Sequence, residues 1–88
     1  MDFYEMNSTP AEKLISQAEG MIDTCKTMIA SARKDCHAGD TVLGNARAIV
    51  AEAKKLSDDS ILGSVELSGP QDWPDILAAM ESVVSALG

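Results

Sequence analysis

In three separate stretches of this chain the apolar residues step by four and three, a period that suits α-helices packed side by side and little else. In the first stretch Leu14, Ala18, Met21, Cys25, Met28 and Ala32 form one column. Ile15, Ile22, Ile29 and Cys36 repeat every seven residues in a second column beside it. Two adjacent columns make a stripe wider than a two-stranded coiled coil uses, so the helix belongs in a bundle. Thr9 is placed to cap it and Pro10 suits its first turn. Glu12, Glu19 and Asp23 toward its start, with Lys26, Arg33 and Lys34 toward its end, complement the helix dipole. His37-Ala38-Gly39 is the expected stop, with Gly39 as the cap.

Asp40 is read as the cap of a second helix, in which Val42, Ala46, Ile49, Ala53 and Leu56 repeat the stepping, flanked by Leu43 and Val50. With about three residues between them, helices 1 and 2 should pack as an antiparallel hairpin. Residues 57–70 read as a short helical turn followed by a loop, because capping residues precede Gly63 and the Ser68-Gly69-Pro70 stop. After Pro74, Ile76, Met80, Val83 and Leu87, with Leu77 and Val84 alongside, mark a C-terminal helix. The expected fold is all-α: a small helical bundle built on an antiparallel hairpin plus a shorter C-terminal helix. Residues 1–9 are an irregular N-terminal arm and residues 10–88 a single domain.

The expected lengths are unequal. Helix 1, about 27 residues, would span roughly 40 Å, against roughly 25 and 21 Å for the other two. Helix 2 would then leave Leu14, Ile15, Ala18 and Ile22 uncovered, dependent on helix 3, the N-terminal arm or a second chain. These four are candidate protein-binding residues, and self-association as a homodimer or docking of a partner helix is the expected consequence. Trp73 joins them: flanked by Asp72, Pro74 and Asp75, it is either a plug in the core or an anchor in an acidic rim.

The net charge of −7 is unevenly placed. Residues 1–57 hold eight acidic and seven basic side chains, whereas residues 58–88 hold Asp58, Asp59, Glu66, Asp72, Asp75 and Glu81 with no Lys or Arg. Phosphate contacts need cations, so direct nucleic-acid binding is not expected and a basic protein partner is. No run of eighteen apolar residues and no basic, apolar leader is present, which reads as a soluble cytoplasmic chain with no membrane role.

No motif supplies chemistry. Cys25 and Cys36 would lie roughly 16 Å apart on one straight helix, too far to bridge, and both read as reduced core thiols. Cys36-His37 with Cys25 three turns away does not make a four-ligand metal site. Nucleophile, base and orienting group do not converge, and no glycine-rich phosphate loop follows a strand. No catalytic residue, cofactor or metal is assigned. Asn7-Ser8-Thr9 fits the glycosylation sequon but serves as a capping segment.

Asp59-Ser60-Ile61 with Val65-Glu66-Leu67 resembles the Asp-Ser-Leu attachment site of acyl carrier proteins, which implies a phosphopantetheine carrier. The carrier fold continues a long helix after its serine, and Gly63 with Ser68-Gly69-Pro70 interrupts one here, so that function is set aside. The helix 1 stripe is similar to talin-type rod helices, including those that bind vinculin. Those domains use four or five long helices, and no family is assigned. The expected function is a non-catalytic adaptor or regulatory binding module, with an apolar helical face for affinity and an acidic C-terminal third for selectivity. The alternative is an acidic inhibitor that fills the cationic groove of a nucleic-acid-binding enzyme through its C-terminal carboxylates.

Overall fold

A computed structural model describes residues 9–33, 36–57 and 62–88. Within them lie α1 (Pro10–Ala30), α2 (Asp40–Leu56) and α3 (Trp73–Leu87), with no strand. The expected small all-α bundle is what forms. The hairpin pair α1 and α2 are in contact, but α1 makes most of its interhelical contacts with α3, and α3 also touches α2. None of these helices is long and apolar enough to cross a membrane.

The start of α1 follows its sequence. Thr9 adopts extended backbone, its Oγ1 accepts the Glu12 N–H at 3.1 Å, and Pro10 opens the helix without wasting an amide.

The end of α1 departs from expectation. The helix stops at Ala30, so it has 21 residues instead of about 27 and spans roughly 32 Å. Ala32 turns left-handed at φ 63°, its N–H bonds the Ile29 carbonyl, and the Arg33 N–H reaches back to the Met28 carbonyl. That pair of bonds is a Schellman stop, here built on alanine where glycine is usual. Hydroxyls before the stop bond to carbonyls one turn back: Thr24 to Gly20, Thr27 to Asp23 and Ser31 to Thr27, at 3.1, 3.0 and 2.9 Å. Such bonding competes with the helical ladder and weakens a helix near its end.

Two cap assignments change as a result. Gly39 is the N-cap of α2, not the stop of α1, and Asp40 is the first helical residue, where its charge still suits the dipole. With α1 ended at Ala30, Cys36 leaves the apolar column and is exposed, while Cys25 is fully buried as expected.

The core is aliphatic. α1 contributes Leu14, Ala18 and Cys25, α2 contributes Leu43, Ala46, Ile49, Val50 and Ala53, and α3 contributes Trp73, Ile76, Ala79, Met80 and Val83. Leu56, expected on the α2 stripe, is 44% exposed at the last helical position. Three apolar residues outside the helices, Ala38, Leu62 and Leu67, complete the cluster. Among the described residues no polar or charged side chain is buried, so packing alone holds the interior together.

The segment before α3 is fastened by polar contacts. Arg47 on α2 donates through Nε to the Leu67 carbonyl and through Nη2 to the Gly69 carbonyl at 3.4 Å. Gln71 Nε2 donates to the Ser68 carbonyl at 3.1 Å, and the Ala38 N–H donates to the Gln71 carbonyl at 2.7 Å. Gly69 sits at φ 77°, a conformation that favours glycine.

Candidate protein-binding surface

The five residues expected to bind protein do not share one surface. Leu14, Ala18 and Trp73 are buried in the bundle's own core, and only Ile15 and Ile22 remain half-exposed. α3 takes most of the interhelical contacts of α1, one of the three ways its stripe could be completed, while Leu14 lines a groove with Ile49 of α2. Trp73, at 7% exposure, is a plug and not a rim anchor.

The acidic residues are also dispersed. Asp58 and Asp59 lie outside the described residues. Asp72 is the N-cap of α3, yet its carboxylate accepts no helix amide and stands 2.7 Å from Nδ1 of His37. His37 therefore belongs to a loop contact and not to the end of α1, where it was expected. Glu66, Asp75 and Glu81 are exposed.

Two grooves collect what is left apart from Ile15, which lines neither. One, of about 410 Å³, runs between α3 and residues 64–67; its charged lining is Glu66 and Asp75, over Val65, Leu67 and Ala79. The other, of about 600 Å³, lies between α1 and α3. Ile22 and Val84 line it, with Glu19, Asp23, Lys26 and Glu81 around them and Ser85 beside them. It brings together an expected apolar binding residue, Ile22, and an expected acidic one, Glu81. None of Glu19, Asp23 and Glu81 forms an ion pair with a described residue. Glu19 and Asp23, one helical turn apart, repel each other at a cost of a few tenths of a kcal/mol.

Glu19, Asp23, Lys26, Val84 and Ser85 are the members that sequence reasoning did not single out as binding residues. The signal was an acidic pair spaced i, i+4 and straddling Ile22, which the helix dipole explained without reference to a partner.

Desolvation raises the pKa of the buried Cys25 thiol above its usual 9.0 and keeps it in the unreactive protonated form. No group of three His, Cys, Asp or Glu side chains among the described residues is placed to hold a metal ion. No protein-family model, no curated protein and no solved structure matches the chain.

Proposed function

We propose that the chain is a non-catalytic protein–protein interaction module whose exposed carboxylates select a basic partner. The observation that carries the reading is the α1–α3 groove, in which half-buried Ile22 and Val84 meet Glu19, Asp23 and Glu81. Apolar surface supplies affinity, and the surrounding charge speeds encounter and rejects acidic competitors. The absence of Lys and Arg from residues 58–88 extends the same field across α3. The phosphate-mimic alternative gains no comparable support, because Asp72 is engaged by His37 and the other described carboxylates divide between two grooves.

The test is affinity capture from the native host on the immobilised chain, at low and at high salt. It is repeated with a variant carrying Glu19→Lys, Asp23→Lys and Glu81→Lys. Retention of a basic protein that weakens with salt and disappears from the variant supports the reading. Equal retention by both chains, or none by either, refutes it.

A further inference from the structure

Four surface grooves differ in what they offer a ligand. The α1–α2 groove has one carboxylate, Glu52, already paired with Lys55 at 3.2 Å. The groove over Arg47 and Lys54 mixes both signs with Glu66. The groove beside residues 64–67 has one helical wall and one irregular wall. The α1–α3 groove alone joins two helices, an apolar floor and three carboxylates without ion-pair partners among the described residues.

Apolar spacing on the two helices that wall the groove suits a helical occupant, with Ile22 and Val84 in the groove itself. Ile15 and Ile29 stand seven residues before and after Ile22 on α1, Leu77 stands seven before Val84 on α3, and all five are half-buried. Residues seven apart on a helix are separated by roughly 10.5 Å, two turns of any helix laid alongside. Three carboxylates against Lys26 then set the sign of its flanks. We propose that the α1–α3 groove docks an amphipathic helix of a partner protein, with apolar residues at seven-residue spacing against Ile22 and Val84 and Lys or Arg facing Glu19, Asp23 and Glu81.

This assignment rests on the binding role proposed above and names its surface and partner. Charge disfavours the occupants nearer to hand. A second copy would bring the same acidic rim and a net charge of −7 to the interface. The N-terminal arm carries Asp2 and Glu5 and no Lys or Arg. Helix-in-groove recognition, with acidic walls selecting a basic ligand, is the mode that remains.

Two synthetic helical peptides test it on the full chain by fluorescence anisotropy. Both carry Leu at heptad core positions; one has Lys on its flanks and the other Glu. The Lys peptide is expected to bind at least about tenfold more tightly than the Glu peptide. Reversal of the rim by Glu19→Lys, Asp23→Lys and Glu81→Lys should invert that preference, and Ile22→Ser should weaken the Lys peptide without changing the preference. Glu66→Lys with Asp75→Lys, on the other groove, should leave both affinities unchanged.

Loss of binding in this last variant with none in the rim variant overturns the assignment, as does equal binding of the two peptides. Swapping the peptide needs no change to the protein, so an unfolded variant does not blunt the test. A dimer by sedimentation that Ile22→Lys dissociates would put a second copy in the groove and also overturn it. If the Lys peptide fails while host capture by the wild-type chain succeeds, the groove assignment falls and the binding role stands; if both fail, both fall.

Discussion

The carboxylate of Asp72 meets the imidazole of His37 at 2.7 Å, and the same two residues form an isolated antiparallel backbone bridge. Together they tie the loop after α1 to the N-cap of α3, across 35 positions of sequence. The side chains are 65% and 41% exposed, so the contact is a surface one and worth at most about 1 kcal/mol.

The two partners are nevertheless unequal. Removing His37 frees Asp72 to accept the first amides of α3, the task an N-cap aspartate ordinarily performs. Removing Asp72 loses both the loop contact and any cap. Asp72→Ala should therefore cost about 1 kcal/mol and His37→Ala less than about 0.5 kcal/mol. Urea unfolding checks the order; an equal or reversed pair of values would show that the carboxylate has no second role.

Ala32 offers a gain. A non-glycine residue in the left-handed region costs about 1–2 kcal/mol, and glycine there gives back about 0.5–1 kcal/mol through its freer unfolded state. Ala32→Gly should stabilise the chain by roughly 0.5–1 kcal/mol, raising Tm by a few degrees in a domain of this size. The same substitution at exposed Ala51, inside α2, should do the opposite by a similar amount. Thermal unfolding followed by circular dichroism separates the two.

How far such features could be read in advance depended on how local their causes are. Thr9-Pro10 and the stepping of Ile76, Met80 and Val83 carry their structural meaning within one or two turns, and both were legible. The stop at Ala30 was not, because alanine does not require a left-handed conformation and Ser31 becomes a terminator only through its bond to Thr27. Gly39 serves equally at either end of a helix, and its assignment turned on where α1 ended. Leu62 and Leu67 were hidden because an isolated apolar residue in a loop has no period, and the bond from Arg47 to the Leu67 carbonyl is a contact across 20 positions that no local pattern announces. The groove needed the register of α3 against α1 before Glu19 and Asp23 could be seen beside Glu81.

Cys25 and Cys36 should behave as different reagents. Cys36 is exposed and Cys25 is fully buried with its pKa raised by desolvation. One thiol per native chain should react rapidly with a maleimide, and mass mapping should place it at Cys36; the second should react only on unfolding. Because the folded state holds the Cys25 proton more tightly than the unfolded state, the associated stability is complete below about pH 9 and declines as the pH rises beyond it. Cys25→Ser sets a hydroxyl in an apolar site and should cost about 1–3 kcal/mol, whereas Cys36→Ser should stay within about 0.5 kcal/mol of wild type. Rapid labelling at both positions would contradict the packing of α1.

Trp73 decides whether the start of α3 is core or interface. It is the chain's one tryptophan, is 7% exposed and packs in the same cluster as Leu62, Leu67 and Ala38, so it holds the segment before α3 as well as the helix. A ring in that position should emit to the blue of free tryptophan and resist acrylamide. Truncating a buried aromatic costs about 3–5 kcal/mol, against a total stability of roughly 4–13 kcal/mol for a chain of this length. Trp73→Ala should therefore remove a large share of the stability and lower the urea midpoint accordingly, and Trp73→Phe should be markedly milder because most of the apolar area remains. An interface residue would behave in the opposite way: Trp73→Ala would fold normally and lose partner binding, and its fluorescence would be quenched freely in the unbound chain. The two outcomes are read from the same protein sample, one by urea titration and one by quenching, and together they separate burial from recognition at this position.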